Sequence, residues 1–587
     1  MDNGSTKNRN IVSLLDSIRC FGSARVKLDL NLLEQRFYEI LPGASSWITL
    51  LGLGVLAFII PMWISIFLIL YDLYWLVRAV YMSSYLLSSY GQLKKQKGID
   101  WQNRLDLLTD IENAKTITIN EIRKLSDLFK DKIGHSRNES KKLRHVLRQE
   151  KVFLDDLNNI ESNSIRLLDW KKIINLVVIP TYKESFEVLR TTMDHLKEAD
   201  FPSERLWVVI AFEERAGEGA LQTKKQIEEY YANDFGRLIT TVHPDGIQGE
   251  QRVKSANATW AVKQVAEIFD KENIDYENII VSNFDSDTCV GKEYFSYLTY
   301  VYVTNPDRTH CSYQPLPLYH NNIWDAPSFT RVIAINSSFW QMIESVRPER
   351  LVTFSSHSMS FKALHDVGYW SVDVVSEDSR IFWQCFLHYR GKYQTIPLFT
   401  NVSMDATLAP TLWKTFINQY KQKRRWAWGI ENFPFLAMRF RRDKDISWKK
   451  KFKSLFLIFE GNHSWATSSL IIAVLGWIPV LFGNSSFHQT VLSYNLPYVT
   501  RTLASLAMGG LIITMTLTFL LLPPLPQGTP KRKYVYMVLQ WALVPFIASV
   551  LGSFPALDAQ TRMMIGKPLG FWVTEKTRGV TKTTVND

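Results

Sequence analysis

Acidic side chains occur in two short groups whose types and spacing could bind a metal ion or move a proton. Asp285 and Asp287 follow the apolar run 279–284, and Glu377 and Asp378 stand together farther along the chain. Two carboxylates one residue apart at a strand end suit a divalent cation, which keeps waters and bridges substrate phosphates. An isolated Asp-x-Asp can equally be a turn or a helix cap, so both interpretations stay open.

Polar residues also follow two other apolar runs, 173–179 and 206–212. These residues are Thr181, Tyr182, Glu184, Glu213 and Glu214. Short apolar runs rich in β-branched residues are typical of strands buried on both faces. A helical pattern over 185–197 separates the two runs. This alternation predicts a parallel α/β sheet that binds ligands beyond the carboxyl ends of its strands.

A third polar group lies on an amphipathic segment whose apolar residues recur at helical spacing. Its residues are Gln422, Lys423, Arg424, Arg425 and Trp426. An aromatic amphipathic helix commonly lies in a membrane interface, where arginines contact phospholipid headgroups. The arginines therefore predict either a substrate contact or a lipid contact.

The composition sets limits on the protein as a whole. The chain has 587 residues, a net charge of +11 and 46% hydrophobic residues. The length excludes a single small domain, and the apolar fraction excludes a disordered chain. The four cysteines, Cys20, Cys289, Cys311 and Cys385, have no paired spacing. This argues against a disulfide framework or a zinc site.

Long apolar runs show where the basic residues belong. Residues 46–71 contain no charged side chain, and the apolar character continues to about residue 87, enough for two membrane helices with a turn at Pro61. Further apolar runs cover 464–482, 503–522 and 534–554. Lysines and arginines flank the cytoplasmic side under the positive-inside rule, which places the large middle region in the cytoplasm. The basic charge therefore favours a membrane surface over nucleic acid.

The last apolar run raises a question about the side of the carboxyl terminus. The tail after residue 557 is basic, which favours the cytoplasm, and Pro545 interrupts the run. We expect a re-entrant hairpin within this run. The predicted divisions are 1–45, a transmembrane hairpin 46–88, a charged helical insertion 89–170, an α/β domain 171–410, interface helices 411–460, membrane helices 461–556 and a cytoplasmic tail 557–587.

These elements, in this order, resemble the processive membrane-integrated family 2 glycosyltransferases, which include cellulose, hyaluronan and chitin synthases. The resemblance covers residues 173–430 and, with the membrane segments, most of the chain. Residues 571–576, with the sequence FWVTEK, are similar to the gating loop of cellulose synthases. The resemblance implies a cytoplasmic GT-A type, Rossmann-like α/β domain joined to transmembrane helices, in a multi-pass protein of the plasma (inner) membrane.

The resemblance also implies residue roles. The donor-binding residues would be Thr181, Tyr182, Glu184, Glu213, Lys254, Gln422, Arg424, Arg425, Thr574 and Lys576. Asp285 and Asp287 would hold Mg²⁺ or Mn²⁺ on the diphosphate of a UDP-linked sugar. Asp378, beside Glu377, would be the general base on the acceptor hydroxyl, and Arg425 would meet the leaving diphosphate.

On the acceptor side, Trp426 would stack on the terminal sugar, and Ser356 and His357 would line the site. A lone histidine is, however, more often a structural hydrogen-bonding residue than a catalyst. The sequence departs from the family at the end of the second strand, where an aspartate is usual at the uridine position and Glu213 and Glu214 stand here. One of these two glutamates substitutes for it, or else one of them forms a salt bridge with Arg215.

Three functions compete at this point. The first is a processive inverting transferase that polymerises a nucleotide-activated sugar into a β-linked polysaccharide and translocates it. The second is a non-processive membrane transferase that adds one sugar to a lipid or other acceptor. The third is a non-catalytic scaffold or transporter, against which the intact acidic residues argue.

Overall fold

The apolar runs predicted as buried strands form the centre of an eight-stranded sheet. The computed structural model describes residues 32–131 and 137–570. The strands are β1 (Ile174–Pro180), β2 (Leu206–Glu213), β3 (Arg237–His243), β4 (Ile279–Asn283), β5 (Cys289–Val290), β6 (Cys311–Leu318), β7 (Ser358–Ser360) and β8 (Gln394–Ser403). Their spatial order is β3-β2-β1-β4-β7-β6-β8-β5.

The strands from which the parallel arrangement was predicted have it. Strands β3, β2, β1 and β4 are parallel, and every residue of β1, β2 and β4 is buried. Beyond β4 the sheet is mixed: β7 pairs antiparallel with both β4 and β6, β6 pairs parallel with β8, and β5 pairs antiparallel with β8. Strand β7 is three residues long, Ser-Met-Ser, and contains no apolar run from which its pairing could be predicted.

The alternation of side chains along β1 supplies two hydrophobic cores, one on each face of the sheet. Val177 and Ile179 belong to one core, whereas Leu176 and Val178 belong to the other. Successive residues of a strand point to opposite faces, so a continuous apolar run is needed when helices cover both. The carboxyl ends of these strands are thereby held in fixed positions.

The first two helices form the predicted pair with a turn at Pro61. They are α1 (Leu32–Ile59) and α2 (Pro61–Gln96). Pro61 is the first residue of α2, a position where a missing N–H costs no hydrogen bond. Both helices extend beyond the predicted bounds of 46 and 88.

The charged insertion is helical, as predicted. Its helices are α3 (Trp101–Leu107), α4 (Ile111–Asp131) and α5 (Arg137–Ser162). Helices α4 and α5 pack against each other, and Trp101 stacks on Tyr297 of the α/β domain with ring centroids 4.3 Å apart. The insertion is thus attached to the α/β domain at its base.

The remaining helices surround the sheet or continue into the apolar region. Those of the α/β domain are α6 (Phe186–Lys197), α7 (Glu218–Tyr230), α8 (Lys254–Lys271), α9 (Tyr294–Thr304), α10 (Ser328–Ser345), α11 (Phe361–Asp366) and α12 (Glu377–His388). The next are α13 (Leu412–Ala427), α14 (Asn432–Arg442), α15 (Trp448–Ala473), α16 (Ile478–Phe482), α17 (Ser485–His488), α18 (Val491–Ala507), α19 (Gly509–Leu521), α20 (Arg532–Leu539), α21 (Val544–Ile547) and α22 (Phe554–Met564).

Five helical segments of the described chain are long and apolar enough to cross a membrane. They are Leu32–Ile59, Pro61–Gln96, Trp448–Phe482, Val491–Leu521 and Arg532–Met564. They include all the apolar runs of the sequence. The chain therefore combines a mixed α/β domain with a group of apolar helices.

The last of these segments is the one in which we predict a re-entrant hairpin. Consecutive helical turns run from Arg532 to Met564, and Pro545 lies in the first turn of α21, where a proline does not break a helix. Both ends of the segment nevertheless contact the α/β domain and its adjoining helix. Lys533 Nζ donates a hydrogen bond to the backbone oxygen of Trp324 (2.7 Å), and Asp558 pairs with Arg424 of α13 (2.8 Å).

Candidate active site

A cavity of about 1120 Å³ lies at the carboxyl ends of β1, β2 and β4. At this end its wall includes Thr181, Glu213 and Asp285. The cavity continues to Trp75 of α2 and Trp465 of α15. One space therefore joins the strand ends to the apolar helices, and the strand-end residues predicted from the sequence lie in its wall.

Glu184 organises the loop after β1. Its Oε2 accepts hydrogen bonds from Thr181 Oγ1 (2.8 Å) and from the backbone N–H of Tyr182 (2.7 Å). All three residues line the cavity. Glu184 thus fixes the loop conformation, while the ring of Tyr182 offers an aromatic surface at the cavity wall.

The end of β2 carries the salt bridge that the sequence left open. Arg215 Nε donates a hydrogen bond to Glu213 Oε2, and the Arg215 guanidinium lies 4.5 Å from the Tyr182 ring centroid. The 3-10 turn Glu214–Ala216 folds the chain back, and Gly217 ends it with a φ of 82°. Glu213 nonetheless lines the cavity, so pairing with Arg215 does not remove it from the site.

Asp285 and Asp287 bring two carboxylates to the cavity wall directly after β4. Asp285 accepts hydrogen bonds from Lys254 and Ser355, and Asp287 Oδ2 accepts one from the backbone N–H of Asp405 (2.9 Å). The described residues contain no cluster of three or more histidine, cysteine or acidic side chains placed to hold an ion. The all-oxygen pair fits Mg²⁺ or Mn²⁺ if water and substrate oxygens complete the coordination.

Lys254, the first residue of α8, joins the two acidic groups. Its Nζ lies 2.6 Å from Asp285 Oδ1 and 4.0 Å from Asp378 Oδ1. Burial acts to lower the pKa of Lys254, but the charges of Asp285, Asp378 and Glu377 outweigh burial and raise it. Lys254 is therefore a positive charge that lies between Asp285, a predicted metal ligand, and Asp378, the predicted base.

Glu377 and Asp378 lie in the first turn of α12, where the helix dipole favours negative charge. Glu377 is 2% exposed, and burial together with the Asp378 charge raises its pKa to about 8. Asp378 is the more exposed of the two, with 23% of its side chain accessible, and both line the cavity. The raised pKa favours the protonated form of Glu377, and Asp378 is the carboxylate of the pair that is more accessible from the cavity.

Ser356 and His357 do not line the cavity, in contrast to the predicted acceptor contact. Both are fully buried: Ser356 Oγ hydrogen-bonds Thr288 Oγ1 (2.7 Å), and His357 Nδ1 lies 2.9 Å from the Phe354 backbone oxygen. Burial lowers the pKa of His357, so it is neutral and donates from Nδ1 to that oxygen. These residues support the wall from behind, and Ser355 is the member of this stretch that lines the cavity.

The residues of α13 separate into two groups. Gln422, Arg425 and Trp426 line the cavity, as predicted, with Gln422 Oε1 accepting a hydrogen bond from Thr407 Oγ1 (2.8 Å). Arg424 does not line it and pairs instead with Asp558, in contrast to its predicted donor contact. A helix turns by about 100° per residue, which directs Arg424 and Arg425 to different sides.

Lys423 occupies an unusual position between two tryptophans. Its Nζ lies 4.9 Å from the Trp426 ring centroid and 4.8 Å from that of Trp465, and all three residues line the cavity. Burial lowers the pKa of Lys423 to about 8. Trp465, on the apolar helix α15, has no counterpart among the predicted site residues.

Two further predicted residues, Thr574 and Lys576, lie outside the described residues. Lys423, Asp405 and Trp465 also line the cavity, although the sequence assigned none of them a role. Lys423 stands inside the Gln422–Trp426 group, whose other four residues have predicted roles. Asp405 and Trp465 lack any motif signal, because only the folded chain brings them to the cavity.

Comparisons with known proteins place this geometry in context. Residues 280–550, a little under half of the chain, match the family model described as glycosyl transferase family group 2. No curated protein matches. The match supports a family 2 glycosyltransferase, and it agrees with a mixed α/β domain of the GT-A type beside apolar helices compatible with a membrane region.

Two solved structures illustrate the structural similarity. Mannosyltransferase PcManGT from Pyrobaculum calidifontis, in complex with GDP-Man and Mn²⁺, is 13% identical, with 67% of this chain and 88% of that chain covered and a TM-score of 0.37. TarS 1–349 from S. aureus, in complex with UDP-GlcNAc, is 13% identical, with 67% and 93% covered and a TM-score of 0.33.

Proposed function

We propose that the protein is a processive, inverting glycosyltransferase. It would polymerise a UDP-linked sugar into a β-linked polysaccharide and translocate the product across a membrane. The observation that supports this most directly is the continuous cavity, which leads from the strand ends past Asp378 and Trp426 to Trp465 of an apolar helix. A donor, a reacting hydroxyl and a growing chain need such an uninterrupted path.

The donor binds at the strand ends in this proposal. Tyr182 offers an aromatic face for the base, with the loop held by Glu184. Asp285 and Asp287 would hold Mg²⁺ or Mn²⁺, which supplies positive charge to the diphosphate when bound. Lys254 adds a second positive charge from the protein itself.

Chemistry requires a base on one side of the sugar and cations on the other. Asp378 accepts the proton of the acceptor hydroxyl, because its neighbour Glu377 is held neutral by burial. The hydroxyl oxygen forms the new bond to the anomeric carbon as the bond to the diphosphate breaks. Lys254 and Arg425 stabilise the negative charge that develops on the leaving diphosphate. Attack opposite the leaving group turns an α-linked donor into a β-linked product.

The acceptor lies against Trp426, whose flat apolar face suits a pyranose ring and lets a polymer slide. The helices that continue from this point, α2 and α15, belong to segments long enough to cross a membrane. We place the α/β domain in the cytoplasm of a multi-pass protein of the plasma (inner) membrane.

A panel of nucleotide sugars tests the proposal. The purified protein in lipid nanodiscs is incubated with each sugar and Mn²⁺, and nucleoside diphosphate release and product length are measured. Release with a UDP-sugar and a ladder of long products is expected. Absence of release from every sugar would exclude a transferase, and products bearing one added sugar would exclude processivity.

A second function, transfer of one sugar to a lipid or other acceptor, is favoured by the helix end of the cavity. There Arg78 of α2 donates a hydrogen bond to Glu460 of α15 (2.8 Å), and Arg350 lies 3.9 Å from the same carboxylate. This ionic contact joins α2 to α15 at the point where a polymer would pass. A single-addition enzyme could keep the contact closed, so product length distinguishes the two functions.

A further inference from the structure

The two cations of α13 that line the cavity, Lys423 and Arg425, face different parts of it. Arg425 acts electrostatically on Glu377 and Tyr319, which places it at the reaction centre. Lys423 precedes it by two residues, about 200° around the helix, and lies between Trp426 and Trp465. Lys423 is therefore directed toward the acceptor side and away from the leaving diphosphate.

Lys423 lacks the partner that a lysine in this position usually has. In the described ranges 32–131 and 137–570, no carboxylate lies within 4 Å of its Nζ, and burial is the cause that lowers its pKa. The faces of Trp426 and Trp465 attract the cation but do not neutralise it. An anion entering between the rings would restore the lost solvation of the ammonium group.

Basic side chains outnumber acidic ones in the surrounding wall. The wall near Lys423 is formed by α2, α10, α13, α15 and the loop after α10, and its basic lining residues, apart from Arg425, are Arg78, Arg350, Lys423, Lys450 and Lys453. Its acidic lining residues are Glu344 and Glu349, which both contact Arg347, at 3.4 and 3.8 Å. Arg78 and Arg350 also share Glu460, at 2.8 and 3.9 Å, which leaves the lysines of this wall as its unshared positive charge. This part of the cavity therefore has an excess of positive charge, unlike the carboxylate-rich strand ends.

We propose that Lys423, Trp426 and Trp465 form an acceptor subsite selective for a glycan that bears a negative charge, as a carboxylate or a phosphate on its sugar rings. The indoles stack on the pyranose rings, and the ammonium group pairs with the anion. The inference rests on the proposed function, because it assigns the acceptor class of that same site. A neutral glycan would leave the buried cation of Lys423 uncompensated.

Matched oligosaccharides test the subsite without any donor. The probes are cellotetraose, its C6-oxidised form and its C6-phosphorylated form, which share ring and linkage and differ only in charge. Binding to the purified full chain is measured by calorimetry and by quenching of tryptophan fluorescence. We expect the charged probes to bind about tenfold more tightly than cellotetraose, as for a charge-assisted hydrogen bond. A preference for one charged probe over the other identifies carboxylate or phosphate as the natural group.

Substitutions show which residues cause the preference for charged probes. K423M is expected to reduce it to within about twofold, whereas K423R retains it because the charge remains. The control K414M changes an exposed lysine of the same helix that does not line the cavity, and it is expected to leave the preference intact. W465L is expected to weaken binding of all three probes, because each stacks on the indole.

Three outcomes would overturn the subsite. They are equal affinities in the unmodified chain, a preference that survives K423M, and an equal loss for neutral and charged probes in K423M. An equal loss for neutral and charged probes would show that Lys423 only positions the two indoles and does not bind the anion. These measurements are independent of nucleoside diphosphate release. If the protein releases nucleoside diphosphate but binds charged probes no more tightly than cellotetraose, the subsite is refuted and the proposed function stands. If it prefers charged probes but releases no nucleoside diphosphate from any sugar, the proposed function is refuted.

Discussion

Substitution of Asp378 by asparagine keeps the shape of the side chain but removes its charge and its ability to accept a proton. The nearest cation, Lys254, lies 4.0 Å away and keeps its closer contact with Asp285 at 2.6 Å. The affinity for the donor should therefore change by no more than about threefold, because Asp378 is the more distant of the two carboxylates near Lys254 and its charge is partly screened by solvent. The reaction step, in contrast, loses its base.

The expected loss follows from the role. General-base catalysis contributes about 10²–10⁴-fold to the rate, so kcat for sugar transfer should fall by that factor. This corresponds to an activation barrier that is higher by ~3–5 kcal/mol. Glu377 does not rescue the reaction, because it is 2% exposed and burial is the first cause that keeps its pKa high. Loss of the Asp378 charge should also lower the pKa of Glu377, since that charge is the second cause of its elevation.

The assay separates chemistry from binding. Purified D378N and unmodified protein are compared for polymer formation, and for UDP affinity by calorimetry with Mn²⁺. D366N serves as the control, because Asp366 pairs with Lys362 and Tyr389 away from the cavity. A kcat within tenfold of the unmodified enzyme would refute Asp378 as the base. A collapse of UDP affinity would instead show that Asp378 organises the donor site.

Three other results are expected. R215M should weaken UDP binding by about tenfold, because Glu213 loses its counter-ion beside Tyr182, and R190M, which removes a similar arginine–tyrosine contact outside the site, should not. E377Q should flatten the pH dependence of unfolding: the raised pKa means that the folded protein binds more protons than the unfolded chain between about pH 4.5 and 8. The stability of the unmodified protein therefore falls as pH rises through this window, by at most ~1.4 kcal/mol per pH unit. R424M should lower Tm by about 2–4 °C through loss of the Asp558 pair, measured by differential scanning fluorimetry.

The strand ends were predictable because they combine two local signals. A buried strand needs a continuous apolar run, and a polar residue directly after such a run must lie at the sheet edge. Thr181, Glu213 and Asp285 all satisfy both conditions, and the cavity brings them together. The antiparallel strand β7 gave no such signal, because a three-residue strand is specified by its neighbours in space.

The acceptor side was less predictable for a similar reason. His357 precedes the base region in the chain, yet the fold places it behind the wall. Arg424 and Arg425 are adjacent in sequence, but helical rotation sends them to Asp558 and to the cavity respectively. Trp465 enters the site only through the packing of α15 beside α13. Side-chain direction and long-range packing decided each of these positions.

The helix that carries Trp426 is connected to the first apolar helix, α1, through α22. Asp558 of α22 pairs with Arg424, and farther along α22 Gln560 Oε1 accepts a hydrogen bond from Ser46 of α1 (2.7 Å). These contacts anchor the helix of Trp426 at its neighbours. If the proposed polymerisation takes place, the glycan and not Trp426 would have to move after each addition, by sliding over the indole.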